Sequence, residues 1–400
     1  MATGKHVVPS AAPGLRRTVA FWPLVFYGLS DIVGAGIYVA IGQVIARSGA
    51  AAPLAFLVAG VAAALTGVCY AELACRFPEA AGAASYVKHV SGSNALAQLV
   101  GGVMALTVAI AAAAIASGAV QYLAVLIHAP AAMLAAAVIS CFTAIAILGV
   151  RESVGLAAIL GIVELGGLAV VIGWGFFVAP DFDFGDMIPS GLAAWNGVAA
   201  GAFIAFFAFL GFETLVNMAE EVKDARRVVP RAVVTAIAIS IGLYVLVAVA
   251  VTLADRAGSS PLLDLFDGRS AATFAAVSAM AIANGALVGI VTLSRLFYGM
   301  ARNGSLPSMI GRVSSRTRTP ILATVLAGGL VLVTAIAVPF EHLLVWTNAL
   351  TLAVFVAVDL ALWHLQRRGG AVIPGFRVPR LVPPLAIAIS LGLMAAEMLG

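Results

Sequence analysis

Residues 22–47 form an apolar run interrupted at its centre by Gly34-Ala35-Gly36, with Asp31 just before the interruption. As one unbroken helix these 26 residues would measure about 39 Å, more than the ~30 Å hydrocarbon core of a bilayer requires. Glycine has little helix propensity and no bulk to shield the backbone. Non-helical backbone at membrane depth survives only where it is buried in protein or lines a cavity. The stretch therefore reads either as a broken helix at a binding site, the signature of secondary transporters, or as a glycine pair for close helix packing.

The whole chain has the character of that run. Hydrophobic residues make up 62% and charged residues 10%, against about 25% charged in soluble domains. It reads as an integral membrane protein with the lipid bilayer as its solvent. Hydropathy marks eleven candidate spans: 22–47, 53–76, 95–127, 131–149, 153–179, 195–222, 231–253, 273–301, 320–338, 342–364 and 382–400. With residues 1–21 as a cytoplasmic tail, 19 of the 22 Lys and Arg residues fall inside and only Arg47, Arg256 and Arg269 outside. The net charge of +4 is thus a topology signal, and nucleic acid is not an expected partner. Arg16-Arg17 resembles a twin-arginine export signal, but the following span is too long and lacks a small-residue cleavage site, so it reads as an anchor. Cys69, Cys75 and Cys141 lie within spans and read as small packing residues.

A second interruption lies in the sixth span, where Phe206-Phe207-Ala208-Phe209-Leu210-Gly211-Phe212-Glu213 puts a glycine and an acid in mid-membrane. Five spans, then five more, with a break in the first of each set, suggest an inverted repeat, because an odd number of spans reverses topology. The expected fold is an all-α membrane protein with a five-plus-five LeuT-type core over 22–364, the repeats being 22–179 and 195–364. Residues 365–400 add a cytoplasmic loop and an eleventh helix. Turn-rich cytoplasmic connections are expected at 76–82, 220–230, 303–307 and 367–384.

Four stretches resemble the amino acid–polyamine–organocation (APC) transporters. Gly34-Ala35-Gly36-Ile37-Tyr38 is similar to the family's first span. Tyr70-Ala71-Glu72-Leu73 through Phe77-Pro78 to Gly82-Ala83-Ala84-Ser85-Tyr86-Val87 is similar to the end of its second. Phe209-Leu210-Gly211-Phe212-Glu213, with Glu221-Val222-Lys223 and Val229-Pro230, resembles its sixth, and Ser294 through Pro307 its eighth. The first motif resembles most the cationic amino acid transporter branch and its bacterial relatives. Twelve or more spans are usual in the family where eleven are read here, and Asn303 stands where an acid is usual.

The breaks suit a zwitterion. Backbone N–H groups at the start of the second half-helix, around Val33, Gly34, Ala35, Gly36 and Ile37, can face a carboxylate at the positive dipole end. Carbonyls freed near Phe206, Phe207, Phe209 and Gly211 can accept from an ammonium. The resemblance implies the same arrangement, with Phe207 as an aromatic lid. Glu164 lies midway along the fifth span, where a charge costs ~2.5–3.5 kcal/mol even on the lenient insertion scale. It is the candidate to take and release a coupling proton, or else an acid hydrogen-bonded across helices for structure alone. In proton-coupled members of the family this position often holds a lysine. Glu213 could titrate as well or cap the second half of the sixth span. Asp31, Thr107, Asn284 and Asn348 could line the cavity or bridge helices, while Asp359 and Arg295 suit cytoplasmic gate contacts.

The five histidines, His6, His89, His128, His342 and His364, are scattered, which argues against a metal enzyme. No Walker loop or repeated filter motif points to a pump or channel. The expectation is a secondary amino acid transporter without cofactor, coupled to H+, favouring neutral over cationic substrates and located in a bacterial inner membrane. A membrane-embedded sensor is the alternative of another class.

Overall fold

The computed structural model describes residues 19–33, 35–77, 82–148, 150–178, 185–219, 222–254, 261–302, 306–368 and 375–399, with the backbone alone over 150–160. Gly34, Asn303, the tail before Val19, and much of the expected turn-rich connections lie outside the described residues.

Fourteen α-helices are described: α1 (Phe21–Val33), α2 (Ala35–Ser48), α3 (Ala52–Arg76), α4 (Gly82–Ser91), α5 (Asn94–Ala124), α6 (Ala131–Leu148), α7 (Val150–Val178), α8 (Leu192–Ala205), α9 (Phe212–Asn217), α10 (Ala225–Leu253), α11 (Gly268–Arg302), α12 (Ile321–Ala337), α13 (Phe340–Arg367) and α14 (Val382–Leu399). Eight helical stretches are long and apolar enough to cross a membrane, one being Ala35–Arg76, which a 3-10 turn at Gly49–Ala51 divides into α2 and α3. The shorter apolar helices are α1, α12 and most of α14. The chain is a multi-pass membrane protein. Each apolar run read from the sequence has become a helix, because within a bilayer the backbone must satisfy its own hydrogen bonds.

One short helix was not foreseen. Residues 82–91, expected to follow a turn-rich connection, form α4, too short and too polar to span. Tyr86 and Val87 are buried on one side and Lys88 is exposed on the other. This helix packs on α5 and α13.

The interior is built from paired helices. α3 runs along α10, and α5 along α11, while α1 lies against α10 and α2 against α8. α14 rests on α13, α8 and α3. Its far end is tied to α2 by Arg47, whose guanidinium nitrogens reach the two Glu397 carboxylate oxygens at 3.1 and 3.2 Å. This pair is partly exposed, so it orients α14 more than it stabilises it.

Candidate functional site: two interrupted helices in contact

Helix is described on both sides of Gly34, as α1 up to Val33 and as α2 from Ala35. α8 ends at Ala205, tightens into a 3-10 turn over Phe206–Phe209, and then leaves helical geometry altogether. Leu210 is extended, at φ −63° and ψ 147°, and Gly211 has φ +114°, a conformation that L side chains rarely adopt. α9 then starts at Phe212. Gly36 of the first apolar run lies on this break. A Cβ added at Gly36 would stand 2.6 Å from the Ala208 Cα, so backbone lies directly on backbone. A Cβ at Gly211 would meet the Asp31 backbone at 3.0 Å, so the second break also fits closely under the end of α1.

Buried polar side chains hold these segments. The Tyr244 hydroxyl of α10 lies 2.7 Å from the Ile32 carbonyl oxygen and 2.8 Å from that of Ala208, one carbonyl from α1 and one from the 3-10 turn after α8. One proton serves two acceptors, so the phenol acts as a shared clamp. Its ring meets Phe209 edge-on at 5.0 Å. The Asn348 side-chain amide of α13 donates to the Phe203 and Ile204 carbonyls at 2.8 and 3.3 Å, securing the end of α8. Asn348 therefore bridges helices. The Phe207 carbonyl accepts from Leu210 N–H at 3.3 Å, which engages one of the groups proposed for an ammonium.

Glu164 lies beside α1 and α2. On α7, Gly161 packs against the Ser30 side chain and Gly167 against the Tyr38 hydroxyl, one contact on α1 and one on α2. Glu164 is three residues from each and shares their face of the helix. It is 2% exposed, and its Oε1 has no hydrogen-bond partner among the described residues. The Tyr38 hydroxyl donates to the Glu164 main-chain carbonyl at 2.9 Å, and Tyr122 of α5 donates to the Tyr38 carbonyl at 3.3 Å. The first tyrosine ties the α7 backbone at the acid to α2, and the second ties α2 to α5.

Two more acids sit where α1 ends and α9 begins. The Gly211 N–H donates to Glu213 Oε2 at 3.0 Å, so Glu213 caps the start of α9. Thr214 Oγ1 lies 2.6 Å from Asp31 Oδ2 and 2.7 Å from the Gly211 carbonyl. A threonine hydroxyl has one proton to give, which these two acceptors share. Asp31, Gly211, Glu213 and Thr214 are half-buried, whereas Val33, Ala35, Gly36, Ile37, Phe206, Phe207 and Phe209 are fully buried. The cluster is thus closed around the contact of the breaks and less tightly covered beside α9.

The other polar candidates are more distant participants. Asn284 is buried on α11, with Oδ1 unpartnered among the described residues; the adjoining Gly285 lies against Ala35 and Ile115. Thr107 donates back to the Val103 carbonyl of its own helix at 2.8 Å. Asp359, expected at a gate, is fully buried and accepts from Thr66 of α3 at 3.0 Å. Glu72 accepts from Arg76 and from the Val378 N–H, linking the end of α3 to the segment before α14.

With this geometry in view, sequence comparison decides the kinship. The model of the amino acid permease family matches residues 19–398. The chain belongs to that family. Among this permease's relatives, the methylthioribose transporter of Bacillus subtilis is 31% identical over 96% of the chain and 89% of its own length. A vacuolar cationic amino acid transporter of Arabidopsis thaliana is 30% identical over 90% of the chain and 65% of its own. Human cationic amino acid transporter 4 is 30% identical over 90% and 62%. The permease thus spans nearly all of the bacterial relative but under two-thirds of the cationic amino acid transporters. The motifs that carried the resemblance converge here: Tyr70 meets Phe212 edge-on at 5.8 Å and Tyr86 at 6.1 Å, joining the second-span and sixth-span motifs.

Reading the sequence missed Tyr244, Thr214 and the tyrosine pair at 38 and 122. A tyrosine inside an apolar span must find a hydrogen-bond partner, and that demand was the available signal for Tyr244.

Proposed function

We propose that this permease is a secondary active transporter that takes up neutral amino acids together with protons. The substrate sits between the two interrupted helices, and the surrounding bundles rock to expose it alternately. One observation carries the reading: Gly36 lies on Ala208 in the break between α8 and α9, and one tyrosine hydroxyl spans α1 and that break. Such paired ends offer N–H groups to a carboxylate and carbonyls to an ammonium. In this reading Val33, Gly34, Ala35, Gly36 and Ile37 receive the carboxylate. Phe206, Phe207, Phe209 and Gly211 form the ammonium side, and Glu164 is the proton-carrying group.

A five-plus-five inverted repeat is supported by the pattern of helix neighbours. Exchanging α1–α7 for α8–α13 turns the α1–α10 contact into α8–α3, α5–α13 into α11–α7, and α5–α12 into α11–α6; all six pairs occur. We place α14 as the eleventh span, the N-terminus in the cytoplasm and the protein in a bacterial inner membrane, following the distribution of its basic residues. Neutral substrates are favoured because the nearby acids are already engaged: Asp31 with Thr214, Glu213 with Gly211, and Glu164 enclosed beside α1–α2. The bacterial relative supplies a second reading, in which the same site takes an uncharged thioether sugar.

Purified protein in liposomes at internal pH 7.5, without sodium, should accumulate a labelled neutral amino acid when the outside is at pH 5.5 and not at pH 7.5. The panel includes lysine and methylthioribose. Accumulation that ignores the proton gradient would refute the coupling, and uptake of methylthioribose alone would replace the substrate.

A further inference from the structure

Away from the central site, α3, α10 and the lead-in to α14 enclose a groove of about 380 Å³. Val61, Leu65 and Val68 of α3, Ile241 of α10 and Val382 form its apolar walls, and Arg377 stands at one end. That end is structurally built. The buried Glu72 carboxylate accepts the Val378 N–H at 2.8 Å, while the Gln366 amide donates to the Val378 carbonyl at 3.2 Å. With the chain pinned there, Val378 points inward, 7% exposed, and its neighbour Arg377 is left exposed on the outer side. Arg380 is exposed close by. Among the described residues neither arginine has an ion-pair partner, whereas the adjacent Arg76 is taken by Glu72.

An apolar slot on a membrane flank, ending in one uncompensated guanidinium group with a second exposed arginine three residues further on, matches a molecule with a hydrocarbon tail and an anionic head. Guanidinium binds phosphate oxygens in a planar two-bond fit that a zwitterionic head, with its own cation, cannot exploit as fully. We propose that this groove is a binding site for an anionic phospholipid. An acyl chain lies along Val61, Leu65 and Val68, and the phosphate sits on Arg377 with Arg380 beside it. The lipid would also support the second helix break. Ile241, a wall of the groove, packs against Gly60, where an added Cβ would meet both Ile241 and, at 3.0 Å, the tip of the Phe209 ring. The inference needs the chain to span a membrane but is independent of what it transports.

Native mass spectrometry on the delipidated full chain in detergent tests this, with dioleoyl phosphatidylglycerol or dioleoyl phosphatidylcholine as the added probe. At about 1 kcal/mol per arginine, the first phosphatidylglycerol should bind roughly 30-fold more tightly than phosphatidylcholine. The surface double variant R377A/R380A should bring the two lipids to within about threefold. L65W, whose indole occupies the slot, should weaken the first binding of both. Equal affinity of the unaltered protein for the two lipids overturns the proposal, as does an undiminished preference in R377A/R380A. If L65W does not fold, the arginine variant decides alone, since both its sites are exposed.

Discussion

Replacing Gly36 with alanine adds a single methyl group, yet it strikes a place where α2 meets the break after α8 backbone to backbone. The new Cβ would stand 2.6 Å from the Ala208 Cα and 3.1 Å from its carbonyl oxygen. Ordinary carbon contacts need roughly 3.5–4 Å, so the segments must part by about 1 Å, with no flexible side chain to yield instead. Tyr244 then cannot keep both of its bonds, at 2.7 and 2.8 Å, because one would stretch past 3.5 Å. Overpacking costs about 1–3 kcal/mol and the lost hydrogen bond about 1 kcal/mol more. A loss of about 2–4 kcal/mol lowers the population of the closed state at least 30-fold, and turnover through that state falls with it. Initial uptake rates in liposomes, normalised to reconstituted protein, give the comparison. G166A is the matched control, since a Cβ there meets nothing within 4 Å. Wild-type uptake by G36A, or an equal loss in G166A, would refute the reasoning.

Other perturbations separate the roles of the surrounding groups. Y244F removes the clamp and leaves two buried carbonyls short of a donor; it should lower the thermal midpoint and reduce uptake roughly 5- to 150-fold, at about 1–3 kcal/mol, while a wild-type midpoint would argue against it. E164Q keeps the shape but cannot release a proton; it should abolish accumulation driven by an acidic exterior while retaining exchange across preloaded liposomes, and pH-driven accumulation in this variant would end the proton assignment. T214V removes the hydroxyl shared by Asp31 and Gly211 and should shift the pH profile of uptake, whereas an unchanged profile would make that hydroxyl structural only. R47A, which breaks a partly exposed ion pair, should change stability by no more than about 1 kcal/mol, measured as a small change in thermal midpoint.

The helices and the interruption after α8 were legible because membrane burial leaves a strong trace in sequence. A glycine or an acid inside twenty apolar residues has few explanations, and Gly36, Gly211 and Glu164 stood out for that reason. What remained hidden were partners supplied from elsewhere in the chain. Nothing around Tyr244 points to the carbonyls of Ile32 and Ala208, because that contact joins residues far apart in sequence. Thr214 was likewise invisible until α9 brought it under Asp31. Asn348 could be read as a cavity residue or a bridge, and only its two bonds to the end of α8 distinguish the two. The helix α4 escaped notice because its ten residues carry a one-sided pattern too brief to separate from a loop.

Recognition of both ends of a zwitterion is the feature on which the proposed transport rests. Competition against uptake of the best neutral amino acid should therefore compare that amino acid with its methyl ester, which lacks the carboxylate, and with its deaminated acid, which lacks the ammonium. Each missing charge removes hydrogen bonds worth about 1.5–3 kcal/mol, so both analogues should compete roughly 10- to 150-fold more weakly. An analogue that competes within threefold of the parent would mean that one of the two interrupted helices does not hold the substrate.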